Sequence, residues 1–167
     1  MKIIFLIGNL KKGGAERVIT TLANSFCEKG NNITIVTTTI DEIEYELNEN
    51  ILLQSLDISK PKENFILRNS MRLRKLKRII KDETPDVIIS FLPEPSLRLM
   101  LIKPKKIPTI VSIRNDPKIE YKSKILKKIA QILYNRADGV VFQTIEAQNF
   151  FCNSIIKKSI IIENPIK

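Results

Sequence analysis

Short apolar runs alternate with amphipathic stretches along the whole chain. Residues 2–8 form a nearly continuous apolar run, which is typical of a strand covered on both faces of a sheet. Further runs, rich in β-branched residues, have the length of strands: 33–38, 51–56, 86–91, 108–113, 138–143 and 159–162. Between them, helical spacing of apolar positions predicts helices over 14–28, 64–82, 118–136 and 145–152, with a short helix after Pro95.

Strands that alternate with helices predict an α/β fold with a doubly wound, mostly parallel, Rossmann-like sheet. A chain of 167 residues is most simply one domain. In the common strand order 3-2-1-4-5, strands one and four lie side by side where the order reverses. The loops after these two strands would then face each other across one crevice, which is where such sheets bind ligands.

The first strand leads into a glycine pair, Gly13-Gly14, and then into a helix. The free N–H groups of a helix start, together with Lys11, Lys12 and Arg17, would suit a phosphate or diphosphate. The pair could equally be a turn that needs glycine for its backbone angles. The spacing is neither G-x-G-x-x-G nor that of a P-loop, which disfavours a nicotinamide-nucleotide site and a P-loop nucleotidase.

Two later loops also carry polar groups at the carboxyl ends of predicted strands. Glu94 is the only carboxylate of the loop that follows strand four, although it could be an ordinary surface charge. Arg114, Asn115 and Asp116 stand together after strand five, and arginine suits fork-like recognition of phosphate or carboxylate. Asp116 could instead start a turn and cap the next helix.

The net charge of +10 indicates an anionic partner. Seven cations lie between residues 68 and 81 without one acid, on a helix predicted to turn Phe65 and Ile66 toward the core. Attraction to anionic lipid would be worth about 1 kcal/mol per cation near the surface. The cations expected to face a membrane are Arg68, Arg72, Lys75 and Arg78. A solvated outer face is the alternative, whereas nucleic acid is not expected, because no aromatic residue interleaves with this run for base stacking.

Several kinds of chemistry are excluded by composition. The chain has no histidine, so it supplies neither a histidine base nor a Ser-His-Asp triad, and no metal site is expected. Cys27 and Cys152 fit no metal spacing and are predicted to be small buried residues. No apolar stretch is long enough to cross a bilayer, and no signal peptide is recognised. We therefore expect a cytoplasmic protein, peripheral on a membrane if attached to one.

Five segments, in order, resemble the family 4 glycosyltransferases, which have the GT-B fold. Residues 13–18, GGAERV, are similar to the family's glycine loop, and residues 85–91 resemble its fourth-strand entry. Residues 112–117, SIRNDP, resemble a segment of a subgroup that builds lipid-linked bacterial oligosaccharides. Residues 137–144 resemble the AD-x-V strand, and residues 161–166 resemble the hinge into a second lobe.

This resemblance implies a retaining transfer of a sugar from a nucleotide-sugar donor, expected to be a UDP-sugar, without a metal or other cofactor. The acceptor would be a lipid-linked glycan in cell-surface polysaccharide synthesis, at the inner face of the cell membrane. Residues 1–167 would be the N-terminal, acceptor-binding lobe. A C-terminal donor-binding domain with an E-x7-E motif would lie beyond them, and the lobe alone is expected to be inactive.

The resemblance also implies roles for individual residues, although it identifies no catalytic one. Contacts to the donor diphosphate or sugar would come from Gly13, Gly14, Arg17 and Arg114. Arg114 stands where many members have a histidine, as it does in the SIRNDP subgroup. The acceptor crevice would be lined by Asn9, Phe91, Glu94, Asn115 and Asp116. The competing hypothesis is a non-catalytic basic α/β domain that binds a nucleotide or nucleic acid.

Overall fold

A computed structural model describes residues 1–58 and 64–163 of the chain. Within these residues, seven strands form one parallel sheet in the order β3-β2-β1-β4-β5-β6-β7. The strands are β1 Lys2–Ile7, β2 Asn32–Thr37, β3 Leu52–Ser55, β4 Val87–Phe91, β5 Thr109–Ile113, β6 Gly139–Phe142 and β7 Ser159–Ile161. The helices are α1 Gly14–Glu28, α2 Phe65–Glu83, α3 Pro93–Leu101, α4 Pro117–Glu120, α5 Lys124–Tyr134, α6 Ile145–Asn149 and α7 Asn153–Ile156.

The doubly wound parallel sheet predicted from the sequence is confirmed. The order reverses between β1 and β4, which are neighbours: Ile3 of β1 pairs with Ile33 of β2 on one side and with Val87 of β4 on the other. Because all these strands are parallel, the loops after β1, β4 and β5 leave from the same edge of the sheet. This edge, at the point of reversal, is the ligand-binding position of such folds.

Helices cover both faces of the sheet, which explains the unbroken apolar run in β1. Ile3, Phe5 and Ile7 point to one layer, where they pack with α1. Ile4 and Leu6 point to the opposite layer, where α2, α3 and α5 supply the packing partners. All five side chains are at most 6% exposed, so no position of the strand is left to be polar.

Two helices differ from the prediction. The helix expected over 118–136 is broken into α4 and α5, because Ser123 adopts an extended conformation and its Oγ accepts a hydrogen bond from the Leu126 N–H at 3.0 Å. In α2, Phe65 and Ile66 are 70% and 74% exposed, so the prediction that they face the core is wrong. A helix of 19 residues is about 28 Å long, well beyond a five-residue strand, and its first turns have no sheet to cover.

The prediction that both cysteines are buried is wrong for Cys152. The helix predicted over 145–152 ends at Asn149, and Cys152 is an exposed residue immediately before α7. A hydrogen bond between its Sγ and Ser154 Oγ, 3.2 Å apart, lowers the pKa of the thiol. Cys27 is half-buried in α1. Thr144 caps α6 as predicted, by accepting a hydrogen bond from the Ala147 N–H.

Two aspartates of the family-like segments fasten the amino ends of strands. The Asp86 carboxylate accepts a hydrogen bond from the Lys2 N–H at 2.7 Å, and its own N–H donates to the Lys2 carbonyl. The Asp138 carboxylate accepts from both the N–H and the Oγ1 of Thr109, at 2.8 and 3.0 Å. Both aspartates lie at the edge opposite the crevice, so their role here is to hold strand pairs together.

Replacing Asp138 with alanine is expected to reduce the free energy of unfolding by about 1–3 kcal/mol, because Thr109 is fully buried and loses the partner of its N–H. Burial alone would raise the pKa of Asp138, but the hydrogen bonds from Thr109 and Lys103 hold it below the usual value. The wild-type contribution is therefore present above about pH 4 and is lost as the pH falls through the lower folded-state pKa.

Urea titrations at neutral and acidic pH test this prediction, with Asp82→Ala as the control. Asp82 forms an exposed pair with Arg78, N to O distance 3.6 Å, and its loss should cost less than about 0.5 kcal/mol. The Asp138→Ala variant should lose less stability than the wild type on acidification. Equal acid sensitivity of the two proteins would contradict the assignment.

Candidate functional site

The structure brings the predicted ligand loops to one edge of the sheet. The loop of residues 8–13 follows β1, Leu92 follows β4 and Arg114 follows β5, and these three strands are consecutive neighbours. Asn9 shapes the first loop, because its Oδ1 accepts a hydrogen bond from the Lys11 N–H at 3.0 Å. The crevice predicted between the loops after strands one and four therefore exists in the topology.

Neither glycine of the pair is required by its backbone angles. Gly13 precedes α1 with φ −174° and ψ 161°, an extended conformation that any residue adopts. A Cβ on Gly14 would have no atom within 4 Å, and one on Gly13 would meet only the movable carboxylate of Glu16. Among the described glycines only Gly30 has a positive φ, 79°. The reading of Gly13-Gly14 as a turn that needs glycine geometry is therefore not supported by the structure.

Residues 41–50, which we call the acidic segment, pair with the cations of the glycine loop. Lys11 Nζ lies 2.8 Å from an Asp41 oxygen, and Lys12 Nζ lies 3.8 Å from Glu44 Oε2. The hydrogen bond with Lys11, together with one from Thr39, lowers the pKa of Asp41, and the same pair raises the pKa of Lys11. Two of the three cations that the sequence places at this loop are thus already neutralised within the chain.

Tyr45 holds the glycine loop through both of its hydrogen-bonding functions. The Gly13 N–H donates to the Tyr45 hydroxyl at 2.9 Å, and that hydroxyl donates to the Gly13 carbonyl at 2.8 Å. Arg17, in the first turns of α1, is exposed and forms no ion pair within the described part of the chain. Sequence reasoning missed Tyr45, although it is the only aromatic residue of the acidic segment.

Replacing Tyr45 with phenylalanine should release the Gly13 amide while keeping the ring. We expect faster hydrogen exchange at Gly13 and a loss of stability of about 0.5–1.5 kcal/mol, because water partly replaces the two bonds of this half-buried hydroxyl. Asp41→Asn is the matched control, since it removes the Lys11 ion pair and leaves the hydroxyl in place. Amide hydrogen exchange measured by NMR tests this prediction. Unchanged protection of Gly13 in the phenylalanine variant would show that the Tyr45 hydroxyl does not hold the Gly13 amide.

The loop after β4 is shorter than predicted and is strained. Leu92 has φ 68° and ψ 157°, a region that only glycine adopts readily, at a cost of about 1–3 kcal/mol. α3 begins immediately afterwards at Pro93, so Glu94 lies in its first turn. Phe91 is 2% exposed and packs against the Phe5 ring, with centroids 6.4 Å apart. The prediction that Phe91 lines the acceptor crevice is therefore corrected: its side chain belongs to the core on the α1 side.

Glu94 ties three elements together beneath the crevice. Its Oε2 accepts a hydrogen bond from Thr38 Oγ1, just beyond β2, at 3.1 Å, and its Oε1 pairs with Arg98 one turn further along α3. Arg98 also donates to Asn69 Oδ1 of α2 at 3.2 Å, and its side chain is only 8% exposed. Thr38 and Arg98 could not be identified from the sequence, because nothing in a linear pattern places β2, α2 and α3 around one carboxylate.

Arginines with unused hydrogen-bonding capacity surround this network. Within residues 1–58 and 64–163, the buried side-chain nitrogens and oxygens without a partner are the Nε atoms of Arg68, Arg72 and Arg98 and the Ser96 Oγ. Buried polar atoms without partners are uncommon in native proteins. Four such atoms on α2 and α3 therefore make this an unusual part of the described structure.

The four cations predicted to face a membrane lie in different surroundings. Arg72 is only 14% exposed in its side chain and pairs with Asp57 at 3.3 Å, so it is not presented to the outside. Arg68 is half-buried, Lys75 donates to the Asp57 carbonyl at 3.2 Å, and Arg78 is exposed. No helix in residues 1–58 or 64–163 has both the length and the apolar character needed to span a bilayer.

The segment after β5 contributes one half-buried cation and a helix cap. Burial lowers the pKa of Arg114. Asp116 Oδ1 accepts a hydrogen bond from the Lys118 N–H at 2.9 Å and so caps α4, which was the alternative role considered for it. Asn115 donates to Glu120 Oε1 at 2.7 Å. Across the described residues, no three acidic, cysteine or histidine side chains are grouped to hold a metal ion.

Comparison with known proteins gives a consistent result. The sequence profile of Glycosyltransferase Family 4 matches residues 12–167. A curated relative from Campylobacter jejuni is 30% identical over 144 residues, which are 84% of this chain and 39% of the relative. That relative is the GalNAc-alpha-(1->4)-GalNAc-alpha-(1->3)-diNAcBac-PP-undecaprenol alpha-1,4-N-acetyl-D-galactosaminyltransferase. The chain thus spans well under half the length of this relative.

Solved structures share the fold. Sucrose-phosphate synthase from Thermosynechococcus elongatus matches with a TM-score of 0.72 and 12% identity, over 98% of this chain and 48% of that one. Anabaena Alr3699/HepE, solved in complex with UDP and glucose, matches with a TM-score of 0.71 and 16% identity, over 99% of this chain and 45% of that one. At these identities the likeness establishes the Rossmann-like sheet arrangement alone.

Proposed function

Because this chain belongs to glycosyltransferase family 4, we propose that it is the acceptor-side lobe of an enzyme that transfers a sugar from a nucleotide-sugar to a glycan. The lobe arrangement is itself part of the proposal, and it is supported by the share of each relative that the chain spans. The family assignment does not favour the alternative of a basic domain without catalysis.

The glycine loop carries the proposal. Gly13 and Gly14 lie where the strand order reverses, at the start of a 15-residue helix, and neither residue is glycine for reasons of backbone angle. A Cβ at Gly13 would also meet the Glu16 carboxylate, whereas Gly14 has open space around it, which lets another group approach the main chain closely. We propose that this group is the donor diphosphate, with Arg17 and Arg114 supplying positive charge from either side.

This placement makes the acidic segment a competitor of the donor. Tyr45 occupies the Gly13 N–H, and Asp41 and Glu44 occupy two lysines of the same loop. A diphosphate that binds there must replace the hydroxyl and the carboxylates as a hydrogen-bond partner. We therefore expect the isolated chain to bind a UDP-sugar weakly and to transfer no sugar, since the opposing lobe is needed to close on the donor.

The acceptor side of the crevice is proposed to hold a lipid-linked glycan. Glu94 offers a half-exposed carboxylate to sugar hydroxyls. The rim of the crevice is still predicted to include Asn9, Asn115 and Asp116. Asp116 also caps α4. A lipid-linked acceptor places the protein at the inner face of the cell membrane, and this location is part of the proposal.

The test uses the protein made from the complete gene. Radiolabelled UDP-glucose, UDP-galactose, UDP-GlcNAc and UDP-GalNAc are each incubated with it and with undecaprenyl-diphosphate glycans extracted from the host. Transfer of label to the lipid fraction is expected with one of these donors, and NMR of the product should show the anomeric configuration of the donor retained. Labelled lipid product formed with the opposite anomeric configuration would refute the retaining mechanism but not the transfer.

A further inference from the structure

The outer face of α5 is apolar, which is the reverse of an ordinary surface helix. Ile125, Ile129 and Ile132 are 73%, 43% and 58% exposed, and their spacing of four and three residues places them on one side of the helix. Ala130 and Tyr134, both fully buried, lie on the roughly opposite side and fix α5 to the core. We call the surface formed by these three isoleucines the α5 outer face.

A lysine contacts the core on the inner side of the same helix, which shows that the orientation of α5 is fixed. Lys127 Nζ sits 4.1 Å from the centroid of the Phe150 ring, beneath α5. Tyr134 is held there as well, by a 2.7 Å contact between its hydroxyl and that of Tyr121. The orientation of α5 is therefore fixed by packing on one side, and its isoleucines point outward as a consequence.

Cations flank the α5 outer face. Residues 117–136 contain six cations and one carboxylate, Glu120. Five of the cations are exposed and form no ion pair within the described residues: Lys118, Lys122, Lys124, Lys128 and Arg136. Exposed isoleucines between cations are the pattern of a helix that lies in the surface of an anionic membrane.

We infer that the α5 outer face is the surface by which this protein docks on a bilayer of anionic lipid. Two copies of the chain would bring like charges together if they met through this face, which disfavours self-association. The inference rests on the proposed function in one respect: a lipid-linked acceptor requires that the crevice open toward the membrane.

The topology supports that requirement. α4 and α2 follow the carboxyl ends of β5 and β3, so both start on the crevice side, and α2 and α5 pack on the same face of the sheet. The exposed Ile119 of α4 and Phe65 of α2 therefore lie toward the crevice edge, and α2 belongs to the layer that α5 also covers. This docking surface differs from the one expected from sequence, since the central cations of α2 turn toward Asp57 instead.

The chain has no tryptophan, so a single introduced tryptophan reports on its own position. Ile129→Trp is compared with Thr21→Trp, a control at an exposed position of α1, which packs on the opposite face of the sheet. With vesicles of phosphatidylglycerol and phosphatidylcholine at low salt, the emission of Trp at position 129 should shift to the blue and be quenched by brominated lipid. The control should show neither effect, and neither variant should respond to phosphatidylcholine alone.

A second pair of variants measures the contribution to binding. Ile129→Glu should reduce the vesicle partition coefficient by about tenfold or more, and Thr21→Glu, which changes the net charge equally, by clearly less. Flotation of the wild type without a response at position 129 would overturn the α5 outer face and leave the membrane location standing. No flotation at all would overturn both, while the transfer activity, assayed with detergent-solubilised acceptor, is judged separately. A blue emission that depends on protein concentration without vesicles would assign the face to self-association and overturn the inference.

Discussion

Replacing Gly14 with alanine should stabilise this chain and reduce sugar transfer at the same time. The new Cβ has open space around it, and the backbone angles of Gly14 suit any residue. The smaller entropy of the unfolded chain should therefore add about 0.4–1 kcal/mol to the free energy of unfolding. If the donor diphosphate approaches this main chain closely, the same methyl group displaces it, and kcat/KM in the protein from the complete gene should fall about 100-fold.

Gly30→Ala is the matched control for this experiment. Gly30 has φ 79° beyond the end of α1, so alanine there should cost about 1–2 kcal/mol of stability. It lies away from the crevice edge and should leave kcat/KM unchanged. The two substitutions are thus expected to change stability in opposite directions, and only Gly14→Ala is expected to reduce kcat/KM. Full transfer activity of the Gly14→Ala protein would show that nothing approaches this loop closely.

Removing the guanidinium of Arg114 should have the second large effect. A charged hydrogen bond to a ligand is worth about 1.5–3 kcal/mol, so Arg114→Ala should reduce kcat/KM by roughly 10- to 150-fold. Arg114→Lys should recover only part of this loss, because an ammonium group lacks the planar pair of donors. Steady-state kinetics with varied UDP-sugar measure both variants.

Lys29→Ala is the control, since Lys29 is an exposed cation at the end of α1, away from the crevice edge. It removes the same charge and should leave kcat/KM within about twofold, as expected of a surface substitution. Arg114 also has interactions within the chain, so the thermal midpoint of each variant is measured alongside. Equal kinetic losses at positions 114 and 29 would mean that net charge, and not a contact at Arg114, attracts the donor.

The fold was predictable because its signals are local. Continuous apolar runs such as β1 specify buried strands, and the order of strands and helices specifies a parallel sheet with its reversal at β1 and β4. The predicted strand limits differ from the observed ones by at most one residue. Two predictions about helices were wrong. The first turns of α2 were expected to face the core, but the helix is longer than the sheet it covers. The helix expected over 118–136 is interrupted at Ser123, which is extended and caps α5.

The candidate site was predictable only in part, because it depends on contacts between distant segments. The positions of Gly13, Gly14 and Arg114 at one edge follow from the topology alone. The bonds of Tyr45 to Gly13 join residues 32 apart, and Thr38 reaches Glu94 across 56 residues. The prediction placed Phe91 in the crevice. The layer to which its side chain points depends on the register of β4 against β1, which the sequence pattern does not specify.

The most direct measurement is transfer of labelled sugar from a UDP-sugar to an undecaprenyl-diphosphate glycan, made in parallel with the protein from the complete gene and with the 167-residue chain. We expect product with the complete protein, at a rate reduced about 100-fold by Gly14→Ala, and none with the 167-residue chain. Two results would contradict the proposal that this loop is one half of a diphosphate clamp. One is turnover by the 167-residue chain alone, and the other is transfer by the complete protein at a rate that Gly14→Ala does not change.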